Sequence, residues 1–222
     1  MLKVFVAEDE ALVRGGLCAL LELEPDMELA GEAADGAAAV EGVLRTHPDV
    51  VLMDVQMPAL DGIEATRRIL AAGSRARIVM VTTFDQDEYV YKALRAGASG
   101  FLLKALAPER LAAAVRTIAG GESVLDPTLT RRLIEEYLVR PEPDERLARR
   151  IDDLTDRERE VWLLLAQGKS NAEMGQDLFL SDATIKSHVT RLLSKLGVRS
   201  RVGAVVLAYE SGLIRPGGPR EG

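Results

Sequence analysis

Five polar residues that could carry out phosphoryl chemistry stand at the ends of apolar, strand-like stretches of this sequence. They are Glu8, Asp9, Asp54, Thr82 and Lys104, which lie at the ends of four such stretches. If these stretches are parallel strands of one sheet, their carboxyl ends meet at one edge, where open α/β folds place their ligand sites. Three carboxylates brought together repel one another unless a cation is present, and oxygen ligands of this kind suit Mg²⁺. The pattern therefore predicts a magnesium site beside Asp54.

The chemistry that these residues support is the transfer of a phosphoryl group to a carboxylate. Asp54 would act as the nucleophile and form an aspartyl phosphate. Lys104 and the cation would stabilise charge on the phosphoryl oxygens, and the hydroxyl of Thr82 could then hydrogen-bond the new group. Taken singly, each of these residues is more simply a surface or capping residue. Their joint position at four strand ends favours the catalytic interpretation.

The elements that must position these residues follow a regular alternation over residues 1–120. Apolar strand patterns, each followed by a helix pattern, occur five times; the strands are Leu2–Ala7, Met27–Ala33, Val50–Asp54, Arg77–Thr82 and Gly100–Lys104. Five βα units of this length predict an α/β fold, a flavodoxin-like, doubly wound, five-stranded parallel sheet with helices on both faces. The run that ends at Asp54 is almost wholly apolar, which predicts a strand buried on both faces.

The pattern changes after residue 120. Residues 121–153 are interpreted as a linker with one helix, which opens at Asp126-Pro127 and is followed by a polar, proline-rich stretch. From residue 154 to 214 the pattern is all helical, and capping boxes open helices at Thr155 and Ser170. A short helix, a tight connection and the longer helix Asp182–Leu196 form the arrangement of a helix-turn-helix. Residues 215–222 are expected to form a flexible tail.

Composition restricts the class of protein. The net charge is −7, but residues 155–222 hold 10 basic and 8 acidic residues. The C-terminal part of the chain is therefore mildly basic, and the part before it is acidic. Such a division suggests two domains with different partners. The single cysteine, Cys18, excludes an internal disulfide. A strand pattern at the very start leaves no room for a signal peptide, and no apolar run is long enough to span a membrane, so we expect a soluble, cytoplasmic protein.

The motifs resemble those of two-component response regulators of the NarL/FixJ family, which join a receiver domain to a LuxR-type helix-turn-helix domain. The matching motifs are Ala7-Glu8-Asp9-Glu10, Met53-Asp54-Val55-Gln56-Met57-Pro58 with Asp61-Gly62, Thr82-Thr83, Gly100-Phe101-Leu102-Leu103-Lys104, Leu154-Thr155-Asp156-Arg157-Glu158 and Thr184-Ile185-Lys186-Ser187-His188. The resemblance implies a receiver over residues 1–120 and a DNA-binding domain over residues 154–214.

The resemblance also implies roles in the receiver. Asp54 would be the phosphoacceptor, with Mg²⁺ held by Glu8 through water, by Asp9 and Asp54, and by the backbone carbonyl of Gln56. Thr82 and Phe101 resemble a switch pair that responds to the phosphoryl group. A sensor histidine kinase would supply that group, and phosphorylation would favour a homodimer. The face that dimerises stays open, because the family uses either the fourth helix, fifth strand and fifth helix, or the first and fifth helices.

The helix Asp182–Leu196 presents cations and hydroxyls that could contact double-stranded promoter DNA. By resemblance, the base or backbone readers are Lys186, Ser187, Thr190 and Arg191, and the phosphate-side contacts are Ser170, Asn171, His188 and Lys195. A solvated helix face is the simpler interpretation of the charges alone. A domain with so little net charge binds DNA weakly as a monomer, so dimerisation is expected, and the apolar residues Val202, Val205, Val206 and Tyr209 of the last helix could support it.

Two other classes of function compete with a phosphorylation-switched transcription factor. An aspartyl-phosphate phosphatase usually has a second acid two residues after its nucleophile, where this chain has Gln56, so that class is disfavoured. A phosphorylation-independent or ligand-controlled DNA-binding protein with a non-switching receiver is the main alternative, and the intact acidic set argues against it. Because phosphotransfer would modify the protein itself and turn over no substrate, we do not expect an enzyme.

Overall fold

The computed structural model describes residues 1–82, 87–104, 108–121 and 145–214. The chain divides into two compact units, Met1–Asp126 and Pro127–Gly222, and each is considered by itself. The helix predicted from Asp126 and the tail over residues 215–222 lie outside the described residues, as does Thr83.

The N-terminal unit contains a five-stranded, all-parallel sheet with the strand order β2-β1-β3-β4-β5. The strands are β1 (Leu2–Ala7), β2 (Met27–Ala33), β3 (Val50–Asp54), β4 (Arg77–Thr82) and β5 (Gly100–Leu103). The helices that connect or follow them are α1 (Ala11–Glu22), α2 (Gly36–Thr46), α3 (Gly62–Ala71), α4 (Asp87–Ala96) and α5 (Pro108–Ala119). The predicted doubly wound parallel fold is confirmed.

The central position of β3 explains its composition. All five of its residues are buried, as predicted from the continuous apolar run, because helices cover both faces of a parallel sheet. The strand therefore carries Asp54 to the carboxyl edge at the middle of the sheet, with β1 on one side and β4 on the other.

A glycine shapes the loop that follows β3. A Cβ atom on Gly62 would lie 1.8 Å from the backbone oxygen of Asp54, so only glycine permits this close approach. The N–H of Gly62 donates to the carbonyl of Val55 at 2.9 Å, and Asp61 caps α3 by accepting from the N–H of Glu64. The loop is thus folded back tightly against the end of β3.

The C-terminal unit is helical where it is described. Its helices are α6 (Glu145–Asp152), α7 (Asp156–Ala166), α8 (Asn171–Leu178), α9 (Asp182–Leu196) and α10 (Arg201–Glu210). Both predicted capping boxes are present, at Thr155 with Glu158 and at Ser170 with Glu173. Trp162 is fully buried in the core of this unit and donates from its Nε1 to the carbonyl of Ala204 at 2.8 Å.

The helix α6 was not predicted. It begins at Glu145, at the end of the polar stretch that we assigned to the linker, yet Leu147 is buried and Ile151 packs against the core of the C-terminal unit. Arg150 donates from its Nη1 to the carbonyl of Leu196 at 3.2 Å, at the end of α9. The sequence did not indicate this helix, because charged residues surround Leu147 and Ile151 along the chain.

The connection between α8 and α9 is a tight turn, as predicted. The N–H of Leu180 donates to the carbonyl of Gly175 at 2.9 Å, and a Cβ atom on Gly175 would lie 2.8 Å from the backbone oxygen of Leu180. Glycine inside α8, which lowers helix propensity, is therefore required by the turn. Ser181 caps α9 by accepting from the N–H of Thr184.

Candidate functional site

An acidic pocket lies at the carboxyl edge of the parallel sheet. Glu8 follows β1 and Asp54 ends β3, and their side chains are 1% and 7% exposed, whereas Asp9 is exposed. One carboxylate oxygen from each of these three residues lies within 4.8 Å of the others. The three acids predicted from separate parts of the sequence are therefore brought together as expected.

Lys104 reaches into the pocket from the end of β5. Its Nζ donates to Glu8 Oε1 at 2.8 Å and to Asp54 Oδ2 at 3.0 Å. The other oxygen of Asp54, Oδ1, accepts from the N–H of Val55 at 2.7 Å. The strand register brings this about, because β5 pairs with β4 and β4 with β3.

Burial makes the carboxylate charges costly. It raises the pKa of Asp54 and that of Glu8 above their ordinary values, against the opposing effect of the hydrogen bonds from Lys104. Burial also disfavours the charged form of Lys104, but its hydrogen bonds to Glu8 and Asp54 outweigh this and raise its pKa. The pocket thus holds one firmly charged cation between two acids that a further positive charge would stabilise.

The remaining oxygen of Glu8 provides an independent indication of a cation. Glu8 Oε2 is buried and has no hydrogen-bond partner within the described residues. A buried carboxylate oxygen without a partner is costly, and an oxygen-ligated divalent cation would satisfy it. The donor set, three carboxylates of which two are buried, therefore fits such an ion.

The two predicted switch residues, Thr82 and Phe101, lie on β4 and β5. Thr82 ends β4 and is buried, and Phe101 in β5 is 4% exposed, opposite Met80 in the strand register. Gln56, whose carbonyl was predicted as a ligand, has an exposed side chain in the loop after β3.

Arg14 on α1 contacts the backbone of the loop that carries the acidic pair, a contact that the sequence analysis did not identify. Its Nη1 donates to the backbone oxygen of Glu8 at 2.7 Å and to that of Asp9 at 3.3 Å. An arginine one turn into the helix that follows an acidic pair is the only sequence signal of this contact.

Four of the residues predicted to contact DNA share one exposed face of α9. Lys186, Ser187, Thr190 and Arg191 are all exposed, and their spacing places them together on the helix. Lys186 pairs with Asp182 at 3.0 Å on the surface, and the hydroxyl of Thr190 donates to the carbonyl of Lys186. The opposite side of the helix is buried in the core, through Ile185, Val189, Leu192 and Leu196.

The structure places the four predicted phosphate-side residues differently. Lys195 donates from its Nζ to buried Glu158 at 2.7 Å and to the carbonyl of Asp153 at 3.1 Å. Asn171 is 4% exposed, and its Oδ1 accepts from Arg201 at 3.0 Å. Ser170 is a helix cap and His188 is half-buried. Lys195 and Asn171 thus make contacts inside the unit, which the helix-surface pattern did not indicate.

The last helix offers less apolar surface than predicted. Val202, Val205 and Val206 of α10 are buried, and Val205 belongs to the core of the C-terminal unit. The fourth residue considered for dimerisation, Tyr209, is half-buried. A dimer contact through this helix stays a prediction.

A parallel sheet with an acidic pocket at its carboxyl edge, followed by a helix-turn-helix unit, defines a regulator with a receiver and a DNA-binding part. Residues 4–116 match the response regulator receiver domain, and residues 152–208 match the bacterial regulatory proteins of the luxR family. The chain belongs to the response regulators of two-component systems that carry a LuxR-type DNA-binding domain.

Individual relatives support this assignment over the whole chain. The transcriptional regulatory proteins YxjL and LiaR of Bacillus subtilis (strain 168) are each 39% identical over 214 residues, which is 96% of this chain and 98% and 100% of theirs. The crystal structure of the response regulator ChrA of a heme-sensing two-component system is similar with a TM-score of 0.53 at 33% identity, over 96% of this chain and 98% of ChrA. Within the described residues, no helix has the length and apolar character that crossing a membrane requires.

Proposed function

We propose that this response regulator binds promoter DNA under the control of phosphorylation at Asp54 by a sensor histidine kinase. The observation that carries the proposal is the pocket in which three carboxylates lie within 4.8 Å of one another beside Lys104. The interpretation as a DNA-binding regulator follows from the family, and the phosphorylation control follows from the chemistry of this pocket.

Asp54 is suited to act as the phosphoacceptor. A carboxylate oxygen of Asp54 would attack phosphorus as the bond between phosphorus and the donor's leaving group breaks, which gives an aspartyl phosphate. The N–H of Val55 holds one oxygen of the carboxylate and Lys104 the other, so the group is oriented before the reaction. Lys104 is then positioned to bond a phosphoryl oxygen.

A divalent cation, which we propose to be Mg²⁺, fits the acidic side of the pocket. Glu8 (through water), Asp9, Asp54 and the backbone carbonyl of Gln56 would hold it. When bound, Mg²⁺ supplies positive charge that offsets the repulsion between the carboxylates and the developing charge on the phosphoryl oxygens. Two observations support this assignment. Glu8 Oε2 has no hydrogen-bond partner in the part of the chain that the structure describes, and burial is the largest of the effects that raise the pKa values of Glu8 and Asp54.

The response to phosphorylation would pass through Thr82 and Phe101. The hydroxyl of Thr82 would hydrogen-bond the phosphoryl group, and the ring of Phe101 would follow it inward. We infer that this change favours a homodimer, which doubles the phosphate contacts that a mildly basic domain can make with DNA. The exposed face of α9 with Lys186, Ser187, Thr190 and Arg191 would then enter the major groove.

The test compares wild type with Asp54→Asn in the presence and absence of Mg²⁺ and beryllium fluoride, a phosphoryl mimic. Dimerisation is measured by analytical ultracentrifugation and DNA binding by retention of a pool of promoter fragments. The matched control is Asp49→Asn, which makes the same chemical change at the opposite end of the strand, where Asp49 is exposed and accepts from the N–H of Lys3.

We expect the mimic to increase both signals in wild type and in Asp49→Asn, and to change neither in Asp54→Asn. Equally tight DNA binding in all samples would contradict the proposal. That result would instead support a phosphorylation-independent or ligand-controlled DNA-binding protein with a non-switching receiver.

A further inference from the structure

An arginine side chain holds the backbone of the loop that carries Glu8 and Asp9. Arg14, on the first turns of α1, donates from Nη1 to the backbone oxygen of Glu8 at 2.7 Å and to that of Asp9 at 3.3 Å. These two carbonyls lie between β1 and α1, outside the regular hydrogen bonding of either element. One guanidinium group thus fixes the backbone of two successive acidic residues.

Arg14 forms its ion pair with Glu32 and not with the acidic side chains of the pocket. Its Nε lies 3.7 Å from Glu32 Oε2 on β2, and its side chain is only 18% exposed. Because its nearest carboxylate is that of Glu32, Arg14 leaves the oxygens of Glu8 and Asp9 available to a cation. It can therefore order these ligands without competing for them.

The contacts of Arg14 matter because the carboxylates of the pocket repel one another. Three carboxylates within 4.8 Å repel one another, and a loop free to move would relieve the repulsion by separating them. Bonds to both carbonyls restrict that movement. The carboxylates therefore stay close together before the cation binds. Because binding does not have to bring them together again, the affinity for the cation is higher.

We infer that Arg14 is a positioning residue that preorganises the Glu8–Asp9 loop for binding a divalent cation. The inference rests on the proposed function, since it concerns the cation site required for phosphorylation of Asp54. Groups that orient metal ligands from outside the coordination sphere typically change metal affinity by about 10–100-fold when they are removed. Because Arg14 acts through the backbone, we expect the lower end of this range.

The experiment measures binding of Mg²⁺ itself to the unphosphorylated, full-length protein by isothermal titration calorimetry. Arg14→Gln removes the charge and the fork of donors, and Arg14→Lys keeps the charge and a single donor group. Glu32→Gln removes the ion-pair partner while leaving Arg14 in place. The matched control, Arg67→Gln, makes the same change on α3, where Arg67 is mostly exposed and pairs with Glu64.

We expect the dissociation constant for Mg²⁺ to rise about 10-fold in Arg14→Gln, less in Arg14→Lys, and less than about 2-fold in Glu32→Gln and Arg67→Gln. Labelling of Asp54 by a small phosphodonor provides the second readout. Its rate at saturating Mg²⁺ should stay within about 2-fold of wild type in Arg14→Gln, while the Mg²⁺ concentration at half-maximal rate rises with the dissociation constant.

Three results would overturn the inference. Wild-type Mg²⁺ affinity in Arg14→Gln would show that the loop needs no such support. An equal loss in Glu32→Gln would assign the effect to the ion pair with β2 rather than to the carbonyl contacts. The third result is that wild type shows no saturable Mg²⁺ binding, or none that Asp9→Asn removes. In that case the proposed cation site fails together with the role of Arg14, whereas the first two results leave the cation site standing. If Arg14→Gln does not fold, the comparison of Arg14→Lys with Arg67→Gln decides the same question.

Discussion

Lys195 allows a structural ion pair to be distinguished from a contact with DNA. We predict that Lys195→Met lowers the free energy of unfolding of the C-terminal unit by about 2 kcal/mol, between the roughly 3–5 kcal/mol for breaking a buried pair and the less than about 1 kcal/mol for an exposed one. The intermediate value follows from the environment of the pair, in which the Glu158 side chain is 7% exposed and that of Lys195 is 38% exposed.

The unique tryptophan provides the assay. Trp162 is fully buried in the core of the C-terminal unit and is the only tryptophan in the chain, so its fluorescence during urea unfolding reports on this unit alone. The control is Lys186→Met, which breaks an ion pair with Asp182 that is about half exposed on both sides. We expect the control to change stability by less than about 0.5 kcal/mol.

The two lysine substitutions are expected to rank in the opposite order when the dependence of DNA binding on salt concentration is measured. A lysine that contacts phosphate contributes about one to the slope of log affinity against log salt concentration. We therefore expect Lys186→Met to reduce the slope and Lys195→Met to leave it unchanged. An unchanged urea midpoint for Lys195→Met, together with a reduced slope, would refute the structural role and support the predicted phosphate contact.

The same pair should respond to pH. Burial opposes ionisation of Glu158, but hydrogen bonds from Lys195 and Thr155 outweigh it and hold its pKa below the ordinary value. A carboxyl whose pKa is lower in the folded state stabilises the fold above its unfolded pKa, and this contribution is lost as pH falls through the folded value. The stability difference between wild type and Lys195→Met should therefore be full at pH 7 and should shrink below about pH 4.

Three further substitutions test packing and backbone conformation within each unit. Gly62→Ala would place a Cβ atom 1.8 Å from the Asp54 backbone oxygen, so we expect a loss of about 2–3 kcal/mol in thermal unfolding of the receiver, followed by circular dichroism. Ala59 has a φ of 62°, and Ala59→Gly should raise the melting temperature slightly, with a gain of at most about 1 kcal/mol. Trp162→Phe leaves the buried carbonyl of Ala204 without its 2.8 Å partner, and we expect a loss of about 3 kcal/mol by circular dichroism in urea.

Much of the fold and of the phosphoacceptor site follows from local sequence signals. An apolar run such as Val50–Met53 encodes a buried strand, and the alternation with helices encodes the parallel sheet. Parallel strands place their carboxyl ends at one edge, so the meeting of Glu8, Asp54 and Lys104 could be predicted without coordinates. The capping boxes and the tight turn at Leu180 similarly gave the helix-turn-helix.

The contacts that the sequence did not reveal share a physical origin. A helix-surface pattern states which residues are polar, but it does not state which neighbour each polar side chain meets. The DNA contacts of Lys195 and Asn171 rest on resemblance and stay a prediction. The pattern did not reveal that these residues bond Glu158 and Arg201, which lie 37 and 30 residues away along the chain. The helix α6 was not predicted, because its short and mostly charged sequence carries little periodic signal.

The sequence by itself determined the parallel sheet, the identity of its acidic edge and the presence of a helix-turn-helix, because short-range periodicity and turn chemistry encode these features. Only the tertiary structure decided how the edge is held. Arg14 supports the acidic loop through backbone carbonyls, which any residue possesses and no side-chain motif announces. The tertiary structure likewise decided that Lys195 faces a buried glutamate, because long-range packing selects one partner among the many that a flexible lysine could reach.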